Sequence, residues 1–312
     1  MKYIKDLKEG DRVSDVYLCK SKNSAVTRNG KPYDNVTLLD KTGCVDAKVW
    51  EPNSAGIEDY DVLDYIDVTG EVTSFNGAIQ VNIKRIRKCS PGEYDPSDYM
   101  PTSPFNIDEM WKELLGFIDS VEESHLRELL DHFFRDDEFA KVFKASSAAK
   151  SIHHSFVGGL LQHTLAVTRI CDFLAGRYYR LNRDLLITAA ICHDIGKTRE
   201  LSRYPQNDYT DAGQYLGHII IGIEMVGEAI RDIDGFPEAI EQELKHCILS
   251  HHGEFEFGSP KKPAIIEAVA LSFADNTDAK LEAFTELLEN SNESGWMGFN
   301  RIFESNVHRT EI

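Results

Sequence analysis

Four prolines in one short stretch divide this chain into two parts that must fold by different rules. The segment between Ser90 and Asn106, SPGEYDPSDYMPTSPFN, holds Pro91, Pro96, Pro101 and Pro104. Each fixes φ and removes a backbone donor, so neither a helix nor a sheet interior can run through it. Residues 91–106 are therefore predicted to be a fairly stiff linker. With 312 residues in the chain, the part on either side is long enough to bury a core of its own.

Before the linker the pattern is that of strands. The segments VSDVYLCKS, NVTLLDKTGCVDAKVWE, YIDVTGEVTSF and AIQVNIKRI are short, rich in Val, Ile, Thr and aromatics, and partly alternating. Asn29-Gly30, Lys41-Thr42-Gly43 and Asn76-Gly77 separate them as turns. About five strands within residues 1–90 and no long helical pattern predict a small closed barrel, with the OB-fold as first candidate.

After the linker, apolar residues recur three and four apart. IDEMWKELLGFIDSV and HLRELLDHFFRDDEFAKVF give a helical connector over residues 107–150. SFVGGLLQHTLAVTRICDFLAG, RDLLITAAICHDIG, GQYLGHIIIGIEMVGEAIRDI, EAIEQELKHCILSHH and AIIEAVALSFADNTDAKLEAFTELLE then give an all-α bundle over residues 151–290. Within it, ELSRYPQNDYTDAG reads as a loop or small hairpin. Residues 291–312, with Asn, Ser and Gly, read as an irregular tail. The fold class is multidomain α and β.

Charge narrows the range of partners. The net charge is −18, which argues against tight duplex binding. Yet residues 1–90 hold 14 basic and 14 acidic side chains, so the acidity lies wholly beyond them. That balance predicts weak, salt-sensitive contact with nucleic acid through the strand-rich part. The six cysteines are scattered with no CxxC, as expected of reduced thiols. The opening MKYIKDLKEG is charged where a signal peptide needs an apolar run, and no apolar run is long enough to span a membrane. A cytoplasmic protein without membrane association is expected.

Eight of the 11 histidines fall within residues 153–252. A lone histidine on an apolar face is more often a hydrogen-bonded core residue than a ligand. The order here is what points to a site. His163 in GGLLQHTLAV is followed by His193-Asp194 closing the apolar run LLITAAIC, then by His218, by His251-His252, and by Asp275 after another apolar run. A carboxylate at the end of a buried helix needs a strong partner, which a divalent cation supplies. Imidazole with carboxylate suits manganese, iron or zinc.

GLLQHT, CHDIGK, LGH, SHHG and FADNTDA together resemble the successive metal motifs of HD-domain phosphohydrolases, over roughly residues 145–285. With HHSFVGGLLQHT and the opening IKDLKEGDRV, the chain is more closely similar to the YhaM family of 3′→5′ exoribonucleases. Members of that family join an N-terminal OB-fold to a C-terminal HD domain and prefer manganese. The resemblance implies that His163, His193, Asp194 and Asp275 hold one metal. It implies that His218 and one of His251/His252 hold a second, with Asp194 bridging. His251 is read as the ligand, and His252 as a group that contacts substrate. The cofactor expected is a divalent metal, with Mn²⁺ first and Fe, Co or Zn as alternatives, in a two-metal site.

The implied chemistry is hydrolysis of a phosphodiester by metal-activated water, with Asp194 and Lys197 as catalytic residues. Lys197 and His154 would neutralise phosphate charge. On the barrel, Tyr33, Trp50 and Phe75 are candidate stacking platforms beside Lys48, with Lys22, Lys31, Lys84 and Arg85 around them. The basic run at residues 84–88 is, taken alone, an ordinary solvated strand end. The expected substrate is single-stranded RNA, with single-stranded DNA a second candidate. Two other functions remain open: an HD-type small-molecule phosphohydrolase (a nucleotidase or cyclic-nucleotide phosphodiesterase), or a single-strand-binding replication-accessory protein. A homo-oligomer is also open, since no patch in the sequence demands one.

Overall fold

Alternation of side chains builds the first unit. In the strand Gly43–Val49 the buried positions are Val45, Ala47 and Val49, and in Tyr65–Phe75 they are Ile66, Val68, Gly70 and Val72. Each strand thus turns one face inward, as the period of two requires. The computed structural model describes residues 1–27, 29–75, 78–100, 102–150, 156–289, 291 and 294–310. The turn expected at Asn76-Gly77 lies outside the described residues.

The strands are β1 (Arg12–Val26), β2 (Pro32–Asp40), β3 (Gly43–Val49), β4 (Tyr65–Phe75) and β5 (Ala78–Lys88). They close in the order β1-β2-β3-β5-β4. All neighbours are antiparallel except β3 and β5, which run parallel with Asp46 opposite Gln80. That five-stranded closed order is the OB barrel. Tyr17, Leu38, Ile66, Val68, Val81 and Ile86 lie in its core.

The proline-rich segment is more than a spacer. Tyr94 stacks on Tyr65 with ring centroids 3.7 Å apart, and Tyr99 meets Tyr65 edge-on at 5.0 Å. Tyr99 is buried with Leu18 and Leu39. Asp98 accepts hydrogen bonds from Tyr3 Oη and Lys41 Nζ. These contacts tie the segment to the barrel.

The helices are α1 (Ile107–Asp119), α2 (Ser124–Phe134), α3 (Asp137–Ala145), α4 (Gly159–Arg177), α5 (Arg183–Cys192), α6 (Lys197–Glu200), α7 (Asp211–Arg231), α8 (Glu238–Ser250) and α9 (Ile266–Glu289). Asn106 caps α1 by accepting from the amides of Asp108 and Glu109. Every residue of α5 from Leu185 to Cys192 is buried, which explains why LLITAAIC is apolar except for Thr188. The helices of the expected connector do not form a separate layer. Leu114, Leu130 and Phe143 share one hydrophobic core with Leu161, Ile187, Val226, Ile248 and Leu271.

Leu201 pairs with Tyr209 as an isolated antiparallel bridge, so the expected loop after α6 is a small hairpin. The tail differs from expectation. Trp296–Asn300 and Ser305–His308 pair as an antiparallel hairpin, β6 and β7, where an irregular segment was predicted. The reason is cross-strand pairing, such as Phe299 opposite Asn306, which a composition of Asn, Ser and Gly hides.

By contacts the chain divides into two compact units, residues 1–104 with Ser202–Asp208, and residues 105–201 with 209–312. Among the described residues no helix is long and apolar enough to cross a membrane.

Candidate metal centre

The buried helix α5 ends at Cys192, and the chain turns immediately through His193 and Asp194. Asp194 is buried and carries an oxygen toward each of two donor groups. Its Oδ2 lies 3.4 Å from His163 Nε2 and 3.4 Å from His193 Nε2. Its Oδ1 lies 3.4 Å from His218 Nε2 and 3.8 Å from His251 Nε2.

The first group joins three elements. His163 comes from α4, His193 from the end of α5 and Asp275 from α9. His163 Nε2 is 3.2 Å from His193 Nε2 and 3.2 Å from Asp275 Oδ1. The second group joins His218 of α7 to His251 and His252 at the end of α8. Within each triplet the donor atoms lie within 4.8 Å of one another. All six expected metal ligands therefore converge, and His252 stands with His251 in the second group.

The outer nitrogens are fixed by acceptors. His193 Nδ1 donates to Ala190 O at 2.7 Å, and His251 Nδ1 donates to Ile248 O at 2.7 Å. A carbonyl can only accept, so both rings hold their proton on Nδ1 and, when neutral, offer the Nε2 lone pair inward. His252 Nδ1 donates likewise to Phe257 O at 2.8 Å.

Two residues outside the sequence-derived candidates complete this arrangement. Asp278 Oδ2 accepts from His163 Nδ1 at 2.7 Å. Glu200 Oε1 accepts from His218 N at 2.9 Å and stands 3.2 Å from His218 Nδ1. Their signals were weak but present: Asp278 falls one helical turn after Asp275, and Glu200 follows Lys197 by three residues.

Two glycines make the geometry fit. A Cβ on Gly196 would stand 2.0 Å from His218 O, so only glycine lets the turn after Asp194 lie against α7. Gly217 interrupts α7 with φ 71° and ψ 161°, a conformation open mainly to glycine, and this kink sets the backbone just before His218.

Metal ions fit these residues on the structure's own terms. Asp194 Oδ1, His218 Nε2 and His251 Nε2 are buried without a hydrogen-bond partner. Three convergent orphan acceptors are costly unless a cation satisfies them. The electrostatics of the two groups differ. Burial opposes a proton on His163, but Asp275 and Asp278 prevail and raise its pKa to about 10. Burial would raise Asp275, and the His163 imidazolium holds it below the usual carboxylate range. Burial drives His251 well below the ordinary imidazole value, with His193 and His252 adding to the effect. His252 is lowered for the same reason, burial first. Asp194 is held far down against burial by Lys197 and His193, Lys197 Nζ being 2.6 Å from its Oδ2.

Beside the cluster lies a cavity of about 280 Å³ lined by His163, Lys197, His252, Phe257, Asp275 and Asn276. His154, expected to contact phosphate, lies outside the described residues.

On the barrel, Tyr33 and Trp50 stack with centroids 5.3 Å apart and planes at 27°. Lys48 Nζ sits 5.3 Å from the Tyr33 ring and contacts Asn35 Oδ1. Trp50 is 49% exposed and donates from Nε1 to Asn82 Oδ1 at 3.2 Å. Phe75, 66% exposed, ends β4, beyond β5 in the barrel order. The basic run is largely compensated: Lys84 faces Glu71, Arg87 faces Glu93 and Asp67, and Lys88 faces Asp64.

A helical bundle that gathers histidines and aspartates from separate helices around a bridging His-Asp pair defines an HD-domain protein, and the HD domain family matches residues 160–280. Over the longer span the chain is 34% identical across 293 residues to the 3′-5′ exoribonuclease YhaM of Listeria innocua, covering 93% of this chain and 92% of that one. It is 33% identical across 281 residues to the 3′-5′ exoribonuclease YhaM of Bacillus velezensis, covering 90% and 88%. The chain belongs to the YhaM family. Among solved structures, the second OB-fold domain of replication protein A from Methanococcus maripaludis matches 30% of this chain and 98% of its own, at 16% identity and a TM-score of 0.24.

Proposed function

We propose that this chain is a metal-dependent 3′→5′ exonuclease of the cytoplasm that degrades single-stranded RNA to nucleoside 5′-monophosphates. Single-stranded DNA is the second substrate to test. The observation that carries this reading is the position of Asp194, with one oxygen toward each of two histidine-rich groups and its own Oδ1 orphaned together with His218 Nε2 and His251 Nε2. Relatives spanning nearly the whole chain are named 3′-5′ exoribonucleases, which supports the substrate class.

Divalent cations bound there, manganese by expectation, supply Lewis acidity and a water nucleophile near neutral pH. His163, His193, Asp194 and Asp275 would hold one, and His218, His251 and Asp194 the other. The remaining work falls to side chains of the cavity. Lys197 pairs with Asp194 and lines the cavity, where its ammonium would neutralise charge on the phosphoryl oxygens. His252 lines the same cavity and meets the phosphate from the side of the second group. Water adds across the terminal P–O3′ bond, so the released nucleotide keeps the phosphate and the shortened strand keeps a 3′-hydroxyl. Tyr33, Trp50 and Lys48, with Phe75 as a further platform, hold the strand by stacking and charge without reading its sequence.

The test is a single-stranded oligonucleotide labelled at its 5′ end, as RNA and as DNA, incubated with Mn²⁺ or with chelator. A ladder shortening from the 3′ end only in Mn²⁺ is expected, and Asp194→Ala should abolish it while leaving the helical circular dichroism intact. Full activity of that variant, or activity in chelator, would refute the reading.

A further inference from the structure

Phe257 supplies the phenyl ring among the described residues lining the cavity beside the metal ligands. It belongs to a single 3-10 turn, Phe255–Phe257, just after His251 and His252. Phe255 and Phe257 are 62% and 63% exposed. Lys262 Nζ lies over the Phe255 ring, 5.6 Å from its centroid, while the open Phe257 ring at the cavity buries little apolar area on folding.

The turn is anchored. His252 Nδ1 donates to the carbonyl of Phe257, Gly258 ends the turn with φ 85°, and the buried Ser259 hydroxyl lies 2.6 Å from Lys261 O and 3.2 Å from Leu249 O. A histidine of the second donor group therefore fixes the backbone of an exposed aromatic at the cavity wall. The rest of the lining includes Lys197 and Asn276, groups suited to a phosphate and to a hydroxyl. An apolar ring beside such groups fits a ligand with a charged end and a flat end, which is the form of a nucleotide.

We infer that Phe257 stacks the nucleobase of the 3′-terminal nucleotide while Lys197 meets its phosphate, with Asn276 hydrogen-bonding the sugar. The inference rests on the exonuclease reading for the identity of the ligand as a strand end. Stacking tolerates every base, so it secures the end of the strand without sequence preference.

The test compares adenosine 5′-monophosphate with ribose 5-phosphate, titrated calorimetrically into the Mn²⁺-loaded full chain. Base stacking predicts that the nucleotide binds roughly 5- to 150-fold more tightly. Phe257→Ala should close that gap, Phe257→Trp should keep it, and Mn²⁺ affinity should be unchanged in both, because the His252 bond uses the backbone carbonyl. With oligonucleotides, Phe257→Ala should raise KM for an intact 3′ end and leave KM for an abasic 3′ end unaltered. Equal losses on both ligands, or none on either, would overturn the inference. A gap that closes in Phe257→Ala, in a protein that cleaves no strand, would instead refute the exonuclease reading and leave the stacking site standing.

Discussion

His163 and Asp278 share a buried hydrogen bond, Nδ1 to Oδ2 at 2.7 Å, although 115 residues separate them in the chain. The bond fixes the ring so that Nε2 faces Asp194 and Asp275. Loss of such an outer partner typically weakens metal binding about 10- to 100-fold. Asp278→Ala is therefore expected to lower affinity in the first group by that factor, and Asp278→Asn by less, since its amide oxygen still accepts. Manganese titration followed by electron paramagnetic resonance measures this. Unchanged affinity in Asp278→Ala would show that packing alone orients His163.

Proton linkage gives a second expectation. In the metal-free protein the His163 pKa is raised from 6.5 to about 10. A raised imidazole pKa stabilises the fold fully below about 6.5, and this contribution is lost as pH climbs through about 10. A cation needs the same Nε2, so binding must displace that proton. Metal affinity in the first group should accordingly rise with pH up to about 10, while the metal-free protein loses stability over the same range. Calorimetry in buffers of different ionisation enthalpy would detect about one proton released per ion at neutral pH. Binding without proton release would contradict the pairing of His163 with Asp275 and Asp278.

Much of this was legible in the sequence, and the reasons differ by element. β3 reads directly because GCVDAKV alternates, and α5 because a run apolar except for Thr188 has only the core to occupy. His193-Asp194 stands out because a charge ends that apolar run. Asp278 was obscured because Asp275, one turn earlier on the same helix, is equally acidic, and only the fold shows which of them meets Nδ1 of His163. The contact of Tyr94 and Tyr99 with Tyr65 was hidden because four prolines announce an absence of regular structure and say nothing about side-chain packing. The kink at Gly217 was hidden too, since one glycine inside a helical pattern is usually tolerated without a break.

That kink supports a third prediction. Gly217 has φ 71° and ψ 161°, and its neighbour His218 enters the second donor group. An alanine there has room, since its Cβ would meet only Glu200 Oε1 at 3.9 Å, but the backbone is strained. Such strain costs about 1–3 kcal/mol. Relief by straightening α7 would carry His218 away from Asp194. Gly217→Ala should lower the melting temperature and, if each group holds a divalent cation as proposed, reduce the bound metal from two ions toward one. Retention of both ions at full stability would mean that the kink is incidental.

The barrel carries the last prediction. Trp50 stacks on Tyr33 and is steadied at its edge by Asn82, so its outer face is presented without a large loss of side-chain freedom. If a base stacks there, Trp50→Ala should weaken single-stranded RNA binding by roughly 1–3 kcal/mol for any sequence. Lys48 adds charge beside the pair, and each phosphate it neutralises contributes about 0.7 to the salt slope of a single strand. Lys48→Gln should flatten the slope of log K against log salt by about that amount, with manganese affinity unaltered. Fluorescence anisotropy across a salt series separates the two effects. A Trp50→Ala protein that binds RNA as well as the parent would remove the stacked pair from the substrate path and leave the strand held elsewhere.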